Sequence, residues 1–212
     1  MTLVAYTKIS VESDLDTIWS KTESAFSSAE SRGYLDAIKA RKNHDSIKES
    51  LCALLVLAEL VKRLNVDLPA LILGRRDSGK PCFINSKIEF SLSHSHGYAA
   101  AIISDESRVG IDLEAATLPQ EKAEKLAKRF FSDSELDEFA TIPESFLNIW
   151  TKKEALAKMQ GIPLSDLIAA EKKSPLATKI NVFFSHFNVD GHPLTVCLEN
   201  PCEIRDLGEI TV

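Results

Sequence analysis

Residues 109–114 read Val-Gly-Ile-Asp-Leu-Glu. Val109, Ile111 and Leu113 alternate with Gly110, Asp112 and Glu114, the period-2 signature of a half-buried strand. The apolar set can enter a core, which leaves Asp112 and Glu114 side by side on the other face. Two carboxylates so placed repel each other unless they are solvated or share a cation. Taken alone, the stretch favours a solvated strand edge; the alternative is a metal site. A second group stands at residues 150–158, where Trp150, Glu154 and Lys158 fall at i, i+4 and i+8 on one face of a helix. A Glu–Lys pair at that spacing is often an ordinary surface pair, worth about 0.2–0.5 kcal/mol. A third group, Ser91-Leu92-Ser93-His94-Ser95-His96-Gly97, reads as a strand end entering a polar turn. Its hydroxyls and imidazoles suit turn chemistry and equally suit phosphate oxygens.

The elements that must position these groups follow from periodicity and punctuation. Residues 4–11 read as a strand, and Ser13 or Asp14 caps a helix carrying Leu15, Ile18 and Trp19. Residues 24–42 are helical in tendency, interrupted at Gly33 and ending in Lys39, Arg41 and Lys42. Asp45 or Ser46 caps the next helix, whose Ile47, Leu51, Leu54, Leu55, Ala58 and Val61 mark it as a core helix. Lys48 near its start invites a bound anion in dipole terms, a solvated lysine being the plainer account. Gly74, Gly79 and Lys80 nearly match a phosphate-binding P-loop, but Pro81 replaces the required Ser or Thr and the following residues are extended rather than helical. That reading is rejected, with Lys80 kept as a phosphate contact. Residues 119–131 form a helix whose Lys122, Lys125, Lys128 and Arg129 make a basic face. Ser132 or Asp133 caps another, with Glu135 placed for a capping box. Residues 146–160 form the clearest helix of the second half, stopped by Gly161 and Pro163. From Ile180 the tail reads as strands broken by the Asp190-Gly191 turn.

With 212 residues the chain is one large domain or two small ones. Its formal net charge of −6 argues against general nucleic-acid affinity. An acidic partner would have to meet a local basic patch. Cys52, Cys82, Cys197 and Cys202 form no metal-binding spacing and fit a reduced, cytoplasmic protein. No signal peptide is apparent, and the longest apolar run is too short to span a bilayer. Helices precede strands in each half, a hint of two related lobes, 1–106 and 107–212.

Together these stretches resemble the Sfp-type 4′-phosphopantetheinyl transferases. Gly79-Lys80-Pro81, the Ser-x-Ser-His-Ser segment at 91–95, the Gly-x-Asp-x-Glu strand at 110–114, Phe130-Phe131-Ser132 and Trp-x-x-Lys-Glu-x-x-x-Lys-x-x-Gly at 150–161 occur in the family's order. The resemblance implies an α+β fold of two similar lobes related by pseudo-twofold symmetry, with the active site between them, and a monomer at this length. It implies transfer of the phosphopantetheine arm of coenzyme A to a serine of an acyl or peptidyl carrier protein, releasing 3′,5′-ADP. By the same resemblance Asp112, Glu114 and Glu154 hold Mg²⁺, a hard cation that takes oxygen ligands and keeps open positions for phosphates. Ser93, His94 and Lys80 contact the coenzyme phosphates, and Arg41, Lys42 and Lys48 are candidates for its 3′-phosphate. Glu154 and Lys158 serve as proton acceptor and pyrophosphate partner. Lys122, Lys125 and Arg129 face the acidic carrier. The chain departs from the family pattern at Glu49, where many relatives carry a basic residue, and at Gly161-Ile162-Pro163; His96 has no assigned role. The competing readings are a relative that binds coenzyme A or a carrier without turnover, and a metal-dependent phosphoester hydrolase.

Overall fold

The structure is a computed structural model and describes residues 1–173 and 181–212. Ile180, the expected start of the strand-rich tail, lies outside the described residues. The architecture is mixed α+β, in four layers. The first sheet has the order β4-β5-β1-β9, formed by β1 (Thr2–Lys8), β4 (Glu89–Ser95), β5 (Tyr98–Ser104) and β9 (Ile204–Glu209). A second sheet, β6-β8-β7, comprises β6 (Val109–Leu113), β7 (Phe183–Val189) and β8 (His192–Leu198). Between α2 (Arg32–Lys39) and β4 lie the core helix α3 (His44–Arg63) and a small hairpin of β2 (Leu73–Arg75) and β3 (Pro81–Phe83). The remaining helices are α1 (Leu15–Ala25), α4 (Gln120–Phe130), α5 (Asp133–Thr141), α6 (Phe146–Gln160) and α7 (Leu164–Lys173).

Strand periodicity explains the layering. On β1 and β5, Leu3, Ala5, Ala99, Ala101 and Ile103 pack against the α3 leucines. The alternate residues Val4, Tyr98, Ala100 and Ile102 meet Val109, Ile111, Leu113, Leu194, Val196 and Leu198 of the second sheet. The far face of that sheet is covered by α6, where Ala155 and Met159 pack on Cys197. Both faces of β5 and β6 are therefore buried, which corrects the half-buried reading of residues 109–114. The order of layers is α3, first sheet, second sheet, α6. The last strand, β9, returns from the second half of the chain to pair parallel with β1.

Local signals account for most boundaries. Asp14 caps α1, and Ser132 with Glu135 forms the expected capping box of α5. Gly161 ends α6 in the left-handed region at φ 72°. Three expectations need correction. The first strand spans Thr2–Lys8 rather than residues 4–11, and Val11 is exposed. Asn43, not Asp45 or Ser46, caps α3. Gly33 lies inside α2 rather than breaking a helix; the break comes earlier, at residues 26–31. Among the described residues no helix is long and apolar enough to cross a membrane.

Candidate active site

The site forms where α6 crosses β6. The approach is possible because residue 110 is glycine: a Cβ there would lie 1.9 Å from the Ala155 carbonyl oxygen and 2.5 Å from the Met159 nitrogen. This contact brings the face of α6 that carries Glu154 and Lys158 over Asp112. Lys158 Nζ donates to Asp112 Oδ1 at 2.7 Å and to Ser93 Oγ at 3.1 Å. Ser93 Oγ in turn donates to Asp112 Oδ1 at 2.9 Å. The ammonium thus serves a strand carboxylate, and the routine Glu154–Lys158 surface pair does not form among the described residues.

Electrostatics single out the carboxylates. Burial pushes the Asp112 carboxyl above the usual range, although Lys158 and Ser93 pull it down. Burial also raises Glu154, and the nearby Asp112 carboxylate raises it further, against the pull of Lys158. Glu154 feels Glu114 as well. Glu114 accepts a hydrogen bond from Ser95 and another from the Ala116 N–H at 3.0 Å. Three acids thus stand within electrostatic reach of one another around a single lysine.

The donors are all hard oxygens, which fits a magnesium-like cation in chemistry. Among the described residues no three His, Cys, Asp or Glu side chains converge into a finished metal site. An ion here would take part of its shell from water and substrate oxygens, the usual habit of magnesium.

A cleft of about 760 Å³ opens beside these residues. Its walls include Lys48, His94, Glu114, Lys122, Phe146 and Trp150. His94 points to the α3 side of β4, where Nε2 meets Ser50 Oγ at 3.0 Å and Nδ1 meets Glu49 Oε2 at 3.0 Å. Arg41 donates to the same Ser50 hydroxyl at 2.7 Å. Glu49 also accepts from the Gly97 N–H at 2.8 Å. Burial works to raise the Glu49 carboxyl, but these hydrogen bonds outweigh it and hold it below its ordinary value. Glu49 therefore orients His94 and the hairpin turn. Lys48 donates to the Ser10 carbonyl at 2.9 Å, and Lys42 is exposed.

Two expected phosphate contacts are placed differently. Lys80 is buried, with Nζ donating to the Val109 carbonyl at 2.9 Å and lying 3.7 Å from Glu89. Burial lowers its pKa to about 8. It pins the hairpin to β6 and does not line the cleft. The Ser93 hydroxyl donates to Asp112 and accepts from both Lys158 and the Leu113 N–H. One donor and two lone pairs are all that a hydroxyl offers, so a phosphate contact would require giving one of these up. The serines also lie within β4 rather than in a turn; only His96 and Gly97 make the turn, at φ 45° and 84°.

On α4, Lys122 lines the cleft, Lys125 pairs with Glu121 at 2.6 Å, and the Arg129 guanidinium lies over the Phe130 ring. Sequence reasoning missed Gly110 as a packing requirement, Ser95 as a partner of Glu114, and Glu49 with Ser50 as partners of His94. Gly110 and Ser95 sit in the quoted motifs, but nothing local says what they touch. Burial pushes the Cys52 thiol up to about 11 and Cys197 to about 12, so neither is an available nucleophile at neutral pH.

Comparison with known proteins bears on the same residues. The sequence profile of the 4′-phosphopantetheinyl transferase superfamily matches residues 108–199, the stretch that carries β6 and α6. The chain is 33% identical over 148 residues to the 4′-phosphopantetheinyl transferase AcpT of Salmonella typhi, covering 67% of this chain and 73% of that one. It is 32% identical over 140 residues to AcpT of Escherichia coli, covering 63% and 68%. It is 32% identical over 122 residues to the 4′-phosphopantetheinyl transferase gsp of Aneurinibacillus migulanus, covering 55% and 49%. With that extent of likeness falling on the strand and helix that build the site, the chain belongs to the 4′-phosphopantetheinyl transferase superfamily.

Proposed function

We propose that this enzyme moves the 4′-phosphopantetheine arm of coenzyme A onto a serine of an acyl or peptidyl carrier protein in a magnesium-dependent reaction. The observation that carries the site assignment is the Lys158–Asp112–Ser93 cluster, with Glu154 raised beside it and Glu114 at the cleft. In this reading the carrier serine oxygen attacks the phosphorus bonded to pantetheine. The bond from that phosphorus to the bridging oxygen breaks, and 3′,5′-ADP leaves with the bridging oxygen.

Asp112, Glu114 and Glu154 are the residues that would hold Mg²⁺. Bound there, the ion would supply charge neutralisation to the pyrophosphate, the main demand of phosphoryl transfer. Lys158 adds a second positive charge and orients Asp112. Glu154 is assigned as the acceptor of the serine proton. Arg41, Lys42 and Lys48 surround the start of α3, whose N-terminal dipole also favours an anion; we assign them to the 3′-phosphate. His94, held by Glu49 and Ser50, directs its imidazole toward the same region. Lys122, with Lys125 and Arg129 on the same helix, is the proposed contact for an acidic carrier.

A helix-on-sheet layer in each half, α3 on the first sheet and α6 on the second, supports the further reading of two similar lobes related by pseudo-twofold symmetry, 1–106 and 107–212, acting as a monomer. In that division the second lobe lends β9 to the first. A cytoplasmic location accompanies this reading.

The test combines purified protein, coenzyme A, Mg²⁺ and apo carrier proteins of fatty-acid, polyketide and peptide type, read by intact mass. A phosphopantetheine mass gain on one of them is expected. Failure on all three counts against carrier transfer, and release of phosphate or ADP without any carrier would favour a hydrolase.

A further inference from the structure

The second sheet ends at β6, whose outer edge should present unpaired N–H groups at every second residue. Its inner edge pairs with β8, and the Glu114 N–H continues that side by donating to the Pro193 carbonyl at 3.2 Å. The outer edge is met by side chains. The N–H groups of Ile111, Leu113 and Ala115 donate to the hydroxyls of Ser91, Ser93 and Ser95, at 3.2, 3.1 and 3.1 Å. The offset is 20 residues in each case, and all three serines are buried. The serines share one face of β4, with Phe90, Leu92 and His94 on the other. Lys80 extends the row by donating to the Val109 carbonyl at 2.9 Å. A short hydroxyl side chain here does the work of a neighbouring strand's carbonyl.

Two members of the row do more than close the edge. Ser93 donates onward to Asp112, and Ser95 donates onward to Glu114. The remaining lone pair of Ser95 faces His96 Nδ1 at 3.1 Å; the hydroxyl is complete when that nitrogen carries the proton. The same hydroxyls that fix the backbone of β6 thus aim its two acidic side chains.

We propose that Ser91, Ser93 and Ser95 are positioning residues that hold the edge of β6 by a side-chain ladder, and that Ser95 sets the Glu114 carboxylate for the transfer site. The second half of this inference rests on Glu114 serving the magnesium ion. Ser91 touches no acid in the ladder, so the two halves can be separated.

The experiment uses the full chain with Ser91→Ala, Ser95→Ala and Glu114→Gln. Amide hydrogen exchange is read at Ile111, Leu113 and Ala115, and the Mg²⁺ concentration giving half-maximal transfer is measured. Ser91→Ala should speed exchange at Ile111, and Ser95→Ala at Ala115, each about tenfold and each leaving the other amide unchanged. Ser95→Ala should raise the half-maximal Mg²⁺ concentration about tenfold, the usual scale for a group that orients a metal ligand. Ser91→Ala should leave it unchanged, and Ser95→Thr, which keeps the hydroxyl, should restore it. If neither amide responds to its own serine, the ladder is refuted. If Ser95→Ala keeps the wild-type Mg²⁺ dependence while Glu114→Gln shifts it, the positioning role of Ser95 is refuted and the metal assignment stands. If Glu114→Gln itself shifts nothing, the metal assignment and the Ser95 role that rests on it both fall, while the exchange data still decide the ladder. Should Ser95→Ala not fold, the Ile111 amide in Ser91→Ala carries the ladder test, and the Thr variant carries the role of Ser95: a changed Mg²⁺ dependence with the hydroxyl kept counts against it.

Discussion

Replacing Gly110 with alanine tests whether the contact between β6 and α6 positions the chemistry. The added Cβ would fall 1.9 Å from the Ala155 carbonyl oxygen, 2.5 Å from the Met159 nitrogen and 2.9 Å from the Met159 Cβ. Real Cβ atoms essentially never come within 3.0 Å of such neighbours. Two of the three obstacles are backbone, so no rotamer change relieves them. The helix must withdraw by roughly 1 Å, and overpacking of this kind costs about 1–3 kcal/mol. Lys158 Nζ stands 2.7 Å from Asp112 Oδ1, already the length of a charge-assisted bond. Withdrawal by that amount breaks the bond and moves Glu154 as well. Misplacement of about 1 Å can lower a rate roughly 100-fold. The expected result for Gly110→Ala is therefore a stability lower by about 1–3 kcal/mol and a loss of transfer of roughly 100-fold, read by urea denaturation and by intact mass of the carrier. Gly33→Ala serves as the control: it lies in α2, nothing stands within 4 Å of its added Cβ, and the change should stabilise by about 0.5–1 kcal/mol. Gly110→Ala with the rate and stability of the wild type would refute the packing argument.

Other outcomes follow from the same geometry. Glu154→Gln should abolish transfer yet raise the Tm of the metal-free protein. The folded carboxyl sits above its ordinary value, so its ionisation destabilises the fold at neutral pH, and that penalty is relieved as pH falls through the folded pKa toward the unfolded one; an unchanged or lower Tm for the Gln variant would contradict it. Lys80 has the opposite sign of window: with a folded pKa of about 8 against an ordinary 10.5, the unfolded chain holds the extra proton between them. Stability from this group should rise as pH climbs through that window, and Lys80→Met should flatten the rise in denaturation measured across it. Arg41→Ala should raise the KM for coenzyme A about tenfold, the scale of one charge-assisted hydrogen bond, and leave 3′-dephospho-coenzyme A unaffected; equal effects on both would remove the 3′-phosphate assignment. Charge reversal at Lys122 should raise the KM for the carrier and not for coenzyme A, whereas a matching rise for both would remove the carrier contact.

What the sequence discloses here depends on how local the cause is. The end of α6 is readable because Gly161 supplies a left-handed stop and Pro163 follows it. The capping box at Ser132 and Glu135 is readable because its two partners are three residues apart. The cap of α3 is not readable from the sequence, because Asn43, Asp45 and Ser46 are all good caps and only the path of the chain selects Asn43, at φ −93° and ψ 111°. The sequence suggests Lys80 as a phosphate contact because lysine in a glycine loop is normally exposed; its burial comes from β6 and α6, about 30 and 80 residues away in the sequence. The serines of β4 read as turn chemistry for the same reason, since their partners lie on a strand of the other sheet.

The strand at residues 109–114 shows why a spaced motif outlasts its simplest explanation. Its alternation first suggests a core face and a solvated acidic face. In the fold both faces are buried from Val109 to Leu113 and only Glu114 reaches the cleft, and each alternate position has its own physical demand. Gly110 admits the helix. Asp112 receives the lysine that the helix brings and the hydroxyl of Ser93. Glu114, at the end of the same row, receives the hydroxyl of Ser95 and borders the cleft. The spacing of two is imposed twice over, by the pleat that sends these side chains toward α6 and by the edge, where every second N–H donates to a serine of β4. A shift of one residue in the pairing would send Asp112 into the apolar layer and remove Gly110 from under α6. The acids are therefore tied to the register of the strand, and the register is held by residues that need never touch a substrate.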